Sequence, residues 1–238
     1  MKNKSSRLFW IFVGIVNVVA IFGLVLYVAV IVPSFSMAWY RMQFRINNSY
    51  EALQMEAEDL HAVTRHMIRY MQGREDSLQI STIVNGQERY FFSELEIRHM
   101  EDVRVLYHIA FIGAMISLSL LIVTTLSFII WGRKRLKTWL RCLQGVFGAI
   151  IFLLLVLGAL IAINWHFAFD VFHEILFNND YWQLNPRSDL MLSMMPYEFF
   201  INTSIFIGAV IGSSLILGFA TSTVFLVKGK KRTKKELH

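Results

Sequence analysis

Four long apolar runs divide this chain, and polar stretches of unequal length separate them. The runs cover 8–33, 109–131, 143–163 and 199–227, and none contains Lys, Arg, Asp or Glu. About 20 mostly apolar residues suffice to cross a bilayer as a helix, so each run predicts a spanning helix. Between the first two, the pattern changes period. Leu53, Ala57, Leu60, Val63, Met67 and Met71 recur at helical spacing, predicting a helix over 51–71 that stops at Gly73 and Arg74-Glu75-Asp76. Residues 78–84 and 87–92 are β-prone and flank Asn85-Gly86, a pair suited to a tight hairpin because both central positions need positive φ. Ser93 with Glu96 three residues later forms a capping box, opening a helix over 94–106 that leads toward the second span.

Charge sets the expected orientation. Fourteen of the 23 basic residues lie before the first run, between the second and third, or after the fourth, against the single acid Glu236. The other two connections hold nine Arg, no Lys and 16 of the 17 acids. By the positive-inside rule both termini are cytoplasmic. The expected order is a tail and first span over 1–33, an extracellular cap over 34–108, and a second span over 109–131. A cytoplasmic loop over 132–142, a third span over 143–163 and an aromatic outer loop over 164–198 follow. A fourth span over 199–227 and a basic cytoplasmic tail over 228–238 complete it. The fold class is an α-helical integral membrane protein with four transmembrane helices and an extracellular α+β cap containing a β-hairpin. The basic tail reads as an anchor on anionic lipid, and no nucleic-acid partner is expected.

Composition adds little against this. The chain has 238 residues, 55% of them hydrophobic, and one cysteine, Cys142, which reads as a packing residue. Ser36 and Ala38 resemble a signal cleavage site, but the preceding run is too long for a signal peptide and reads as a retained helix.

The candidate chemistry lies in the outer connections. The loop over 164–198 is rich in rings, among them Trp165, Phe169, Phe172, Phe177, Trp182 and Tyr197, with His173 at helical spacing inside a phenylalanine stripe. A titratable group among rings is a candidate site; the bland alternative is an interfacial histidine. His99 and Asp102 are three apart on a predicted helix and share a face, so the carboxylate could orient the ring; the bland alternative is an incidental surface pair. His61 and His66 are five apart and read as surface residues. No HExxH, paired cysteine, Gly-rich phosphate loop or nucleophile elbow is present, and no metal or cofactor is expected.

The string Glu96-Ile97-Arg98-His99-Met100-Glu101-Asp102-Val103 resembles a signature of the bacterial lipoprotein intramolecular transacylase family. So does Phe172-His173 followed by Phe177, Asn179-Asp180, Trp182, Pro186, Asp189, Met194-Met195-Pro196 and Phe199-Phe200. The resemblance implies transfer of the sn-2 acyl chain of a diacylglyceryl-cysteine lipoprotein to its own N-terminal amine. It implies His99 and His173 as the catalytic pair, and Asp102, Asn179, Asp189, Phe172, Phe177 and Trp182 as supporting or substrate-positioning residues. Asn179 is an alternative to a histidine as oxyanion donor. The expected partners are a diacylated lipoprotein and membrane lipids, with the enzyme acting as a monomer in the bacterial plasma membrane. Two rival readings are a non-catalytic lipid- or partner-binding protein and a metal-dependent membrane hydrolase using His99, Asp102 and His173.

Overall fold

The structure is a computed structural model that describes residues 2–235, with side chains described from Ser6 to Lys228. Most of the basic tail, and Lys2 and Lys4 of the N-terminal tail, therefore lie outside the described side chains. In chain order the helices are α1 (Lys2–Ser34), α2 (Met37–Ile46), α3 (Ser49–Leu53) and α4 (Ala57–Met71). After the strands β1 (Ser81–Val84) and β2 (Gln87–Tyr90) come α5 (Glu94–Ser127), α6 (Leu136–Ile163), α7 (Trp165–Leu176), α8 (Leu190–Met194) and α9 (Tyr197–Lys235). The chain divides into two units. One holds 1–29, 111–163 and 207–238; the other holds 30–110 and 164–206.

The first unit is helical. Among the described residues, three stretches are long and apolar enough to cross a membrane: Ser6–Ser34, Glu94–Ile163 and Tyr197–Lys228. The second and third apolar runs share one stretch because a π-helical turn, Phe128–Gly132, and a 3-10 turn, Arg133–Arg135, join α5 to α6. Few side chains in these stretches are buried by the protein itself, as expected where lipid is the solvent. The buried ones include Val18, Leu143, Phe147, Ile211 and Leu215. Polar pairs tie helices together within this unit: Asn17 Nδ2 donates to Thr124 Oγ1, and Gln144 Nε2 donates to Thr223 Oγ1 at 2.8 Å. Gly218 allows a close approach, since a Cβ there would stand 2.7 Å from the Phe147 ring. Small residues commonly serve this purpose between membrane helices.

The second unit contains α2–α4, the hairpin, the first turns of α5, α7, α8 and the first turns of α9. Its core gathers Phe44, Leu60, Val63, Met67, Leu78, Phe91, Met194 and Phe199. The hairpin forms at the expected turn: Asn85 and Gly86 have φ 50° and 72°, and Val84 pairs with Gln87. The single helix expected over 51–71 is instead two. Gln54 adopts φ 50°, and its carbonyl accepts from Asn85 N at 3.1 Å, so the hairpin turn uses a carbonyl that a continuous helix would consume. A helical stripe does not register a break repaid by a tertiary hydrogen bond. The helix over 94–106 runs on without interruption to Ser127, so its lead toward the second span is one continuous helix. Gln43, 1% exposed, accepts from the side-chain amides of Asn47 and Asn202, which gives these two asparagines a packing role.

Candidate active site

The site lies in the second unit, where α5 meets α7 and the loop that follows α7. The start of α5 is fixed first. Glu96 N donates to Ser93 Oγ at 3.2 Å, and Ser93 N donates to Glu96 Oε2 at 2.6 Å, completing the capping box. Glu96 has a second duty that its spacing did not reveal. Its Oε1 accepts from Met191 N at 2.6 Å, while Ser93 Oγ donates to Asp189 Oδ1 at 3.0 Å. Asp189 Oδ2 accepts from Asn185 N at 2.6 Å. Two buried carboxylates thus clamp the segment entering α8 onto the first turn of α5. Burial pushes the Glu96 carboxyl up, with the Asp189 charge adding to the rise and the Ser93 and Met191 hydrogen bonds opposing it. Asp189 belongs to this clamp and acts one turn away from His99.

One turn on, His99 is 9% exposed, and on α7 His173 is 7% exposed. Asn164 caps α7 by accepting from Phe167 N at 3.1 Å. The helix turns an apolar face outward, with Phe167, Phe172 and Ile175 exposed, and His173 inward. The two imidazole centroids are 6.0 Å apart. Phe177 touches both, meeting His99 edge-on at 5.2 Å and stacking on His173 at 5.7 Å. Trp182 stacks on His173 at 4.9 Å, and Phe169 lies 4.3 Å away. Phe172 meets His173 edge-on at 5.3 Å but is 55% exposed, so it flanks the histidine without enclosing it.

The His173 tautomer follows from its partner. Nδ1 lies 2.7 Å from the Phe169 carbonyl, which can only accept, so Nδ1 carries the hydrogen and Nε2 keeps its lone pair. The signal was present in the sequence, since Phe169 is four residues earlier on the same helix. His99 Nδ1 is buried without a hydrogen-bond partner among the described residues. Burial lowers the His99 pKa to about 4, helped by the nearby His173 and opposed by the Asp102 charge. Burial likewise lowers His173, opposed by the Phe169 carbonyl bond and by Asp170. Both rings are therefore neutral at pH 7, and their mutual repulsion disfavours charging both at once.

Asp102 does not orient the His99 ring by a hydrogen bond. Its Oδ2 accepts from Asn179 Nδ2 at 2.9 Å, and Asn179 Oδ1 accepts from Tyr181 N at 3.0 Å. The Asn179 amide is thus held at both ends as a tether between loop and helix, with one of its two N–H groups committed to Asp102. Asp102 reaches His99 only through its charge. Sharing a helix face brings two side chains near, but the longer reach of a loop amide decided the bond. His61 is another correction: it is 8% exposed and bonded to Tyr50 Oη through Nε2 at 2.9 Å, while His66 bonds the Ser77 carbonyl. Among the described residues no three His, Cys, Asp or Glu side chains converge as a metal ion requires.

The model of the family described as lipoprotein intramolecular transacylase Lit matches residues 14–200, most of the chain and both histidines. The chain belongs to the lipoprotein intramolecular transacylase family. It is accordingly an acyltransferase of lipoprotein modification. Its fold is that of the membrane-integral lipoprotein intramolecular transacylase Lit from Bacillus cereus, with TM-score 0.75 at 20% identity over 93% of this chain and 97% of that one. A variant of that protein with a histidine-to-alanine change aligns with TM-score 0.74 at 19% identity, over 98% of this chain and 100% of that one. A histidine-to-arginine variant aligns with TM-score 0.71 at 19% identity, over 97% and 96%. No curated protein matches the sequence. This transacylase shares with the Bacillus cereus enzyme a membrane-integral helical fold.

Proposed function

We propose that the enzyme moves the sn-2 acyl chain of a diacylglyceryl-cysteine lipoprotein to the α-amine of the same cysteine, with His99 and His173 as its acid–base pair. The observation that carries this reading is the pair itself: two buried, neutral imidazoles 6.0 Å apart with Phe177 touching both. In the reaction the amine nitrogen bonds the ester carbonyl carbon, the bond from that carbon to the glyceryl oxygen breaks, and the proton lost by nitrogen ends on that oxygen. Ester becomes amide, so no external acyl donor is needed. The lone pair on His173 Nε2 supports its assignment as the base, and a neutral His99 can donate an N–H to the oxyanion or return the proton to the leaving oxygen. Donor and acceptor belong to one molecule, and holding them together can contribute on the order of 7–11 kcal/mol. The rings of Phe169, Phe177 and Trp182 suit that confinement.

The charge pattern supports four spans, both termini in the cytoplasm, and the second unit on the outer face of the plasma membrane, where a monomer surrounded by lipid meets its lipoprotein. The test is mass spectrometry of lipoprotein N-termini from a host with and without this gene, paired with purified enzyme acting on a synthetic diacylglyceryl-cysteine lipopeptide. We expect N-acylation coupled to loss of the sn-2 chain, at full rate in excess EDTA. Inhibition by EDTA that zinc reverses would replace the histidine mechanism with a metal one, and unchanged N-termini would reject the activity.

A further inference from the structure

A cleft of about 220 Å³ opens beside the histidine pair, walled by Phe177 and Trp182 and rimmed by Glu174 and Asp180. Its walls are not independent of the site: Trp182 stacks on His173, and Phe177 touches both histidines. His99, which meets Phe177 of the cleft wall and is about nine-tenths buried, keeps an Nδ1 with no partner among the described residues. Charge around the cleft is one-sided. Glu174 and Asp180 are exposed, Asp170 lies one helical turn before Glu174, and Asp102 holds Asn179 of the cleft wall. Arg98, 5.8 Å above the Tyr181 ring of the same loop, is paired with Glu94 at 2.9 Å. Such a cleft repels a phosphate or carboxylate and attracts a small cation. Half-exposed Trp182 also offers a π surface of the kind that binds ammonium groups.

We propose that this cleft is the acceptor-amine site, taking the α-ammonium of the lipoprotein's N-terminal cysteine between the Glu174 and Asp180 carboxylates and the Trp182 ring. The assignment rests on the transacylase reading above and extends it from the reacting pair to recognition of the acceptor. It gives the cleft a selective role: a lipoprotein whose amine is already acylated has lost the charge that the rim reads, so product is held less tightly than substrate.

The experiment separates binding from chemistry. A lipopeptide with an ether in place of the sn-2 ester cannot transfer its chain. It is made with a free amine, with an N-acetyl group, and with the amine removed, and its binding to the full-length purified protein in detergent is measured. Two exposed charge contacts and one cation–π contact correspond to roughly a fivefold preference for the free amine over both other forms. The double substitution Glu174→Gln with Asp180→Asn should bring that preference within about twofold while leaving affinity for the deamino form unchanged, which also reports that the variant is folded. Equal binding of all three forms by wild type would overturn the proposal without need of any variant, as would a preference undiminished in the double variant. His99→Ala and His173→Ala should keep the preference. If those variants prove active, the catalytic reading falls while the amine site stands.

Discussion

Two places in the second unit bury a histidine and lower its pKa, and they differ in what meets the ring. At His61 burial is the main cause, Nε2 is occupied by the Tyr50 hydroxyl, and the nearest carboxylate, on Glu58, is 4.0 Å from Nδ1. At His99 burial is again the main cause, but the next influence is a second buried histidine. That partner has one nitrogen committed to a backbone carbonyl and the other left with its lone pair. A lowered pKa marks burial in both places. Each ring keeps a buried Nδ1 without a hydrogen-bond partner among the described residues, so a free nitrogen alone does not separate them; what does is the neighbour, a tyrosine hydroxyl at His61 and a second buried imidazole at His99.

The comparison breaks most sharply at the pair. His99→Ala and His173→Ala should each reduce turnover of the synthetic lipopeptide by about 10²–10⁴-fold, the usual cost of losing acid–base catalysis, measured at a temperature where the variants are folded, since loss of either buried ring also lowers the melting temperature. Turnover within tenfold of wild type for either variant would remove that histidine from the mechanism. It would also favour a binding protein in which only the aromatic wall matters.

That pair was legible in sequence only in part. The four apolar runs, the Asn85-Gly86 turn and the Ser93 capping box were readable because each depends on local periodicity or local backbone demands, and the structure has helices, hairpin and cap there. What failed depends on partners distant in the chain. The break at Gln54 answers to Asn85, the second oxygen of Glu96 answers to Met191, and Asp102 answers to Asn179. His61 was misread because a polar residue beside a stripe can still be buried when an aromatic hydroxyl meets it. Phe172 and Phe177 looked equivalent by spacing, yet Phe172 faces outward on α7 while Phe177 begins the extended segment that folds back to His99.

The corrected place of Asp102 gives a smaller and more discriminating effect. Asp102→Asn keeps an acceptor for Asn179 Nδ2 but removes the negative charge that raises the His99 pKa. The His99 pKa should then fall further below its ordinary range. Because the neutral ring is the working form, the acid limb of kcat against pH should move lower, with a rate loss of severalfold at most at pH 7. Asn179→Ala keeps the charge and removes the tether, so it should lower the rate without moving the acid limb. Identical pH profiles for wild type and Asp102→Asn would show that the carboxylate acts as a tether alone.

The smallest effect on rate belongs to His61, and it tests the other half of the comparison. His61→Ala takes away the partner of the Tyr50 hydroxyl and leaves a gap next to the core residue Leu60, so about 1–2 kcal/mol of stability should be lost. Turnover should stay within about twofold of wild type at a temperature where the variant is folded. The pH dependence of melting carries the sharper signature. Burial, then the Arg41 charge, depresses the folded-state pKa of His61 below its ordinary 6.5. The unfolded chain therefore binds the proton first, and the contribution of a neutral His61 is present above that value and is lost as pH falls through the lower folded value. Wild type should lose melting temperature over that acid range more steeply than His61→Ala, with the two curves converging at low pH. A His61→Ala enzyme that melts like wild type yet has lost its activity would place this histidine beside His99 and His173 in function, and the neighbouring imidazole would no longer separate the two sites.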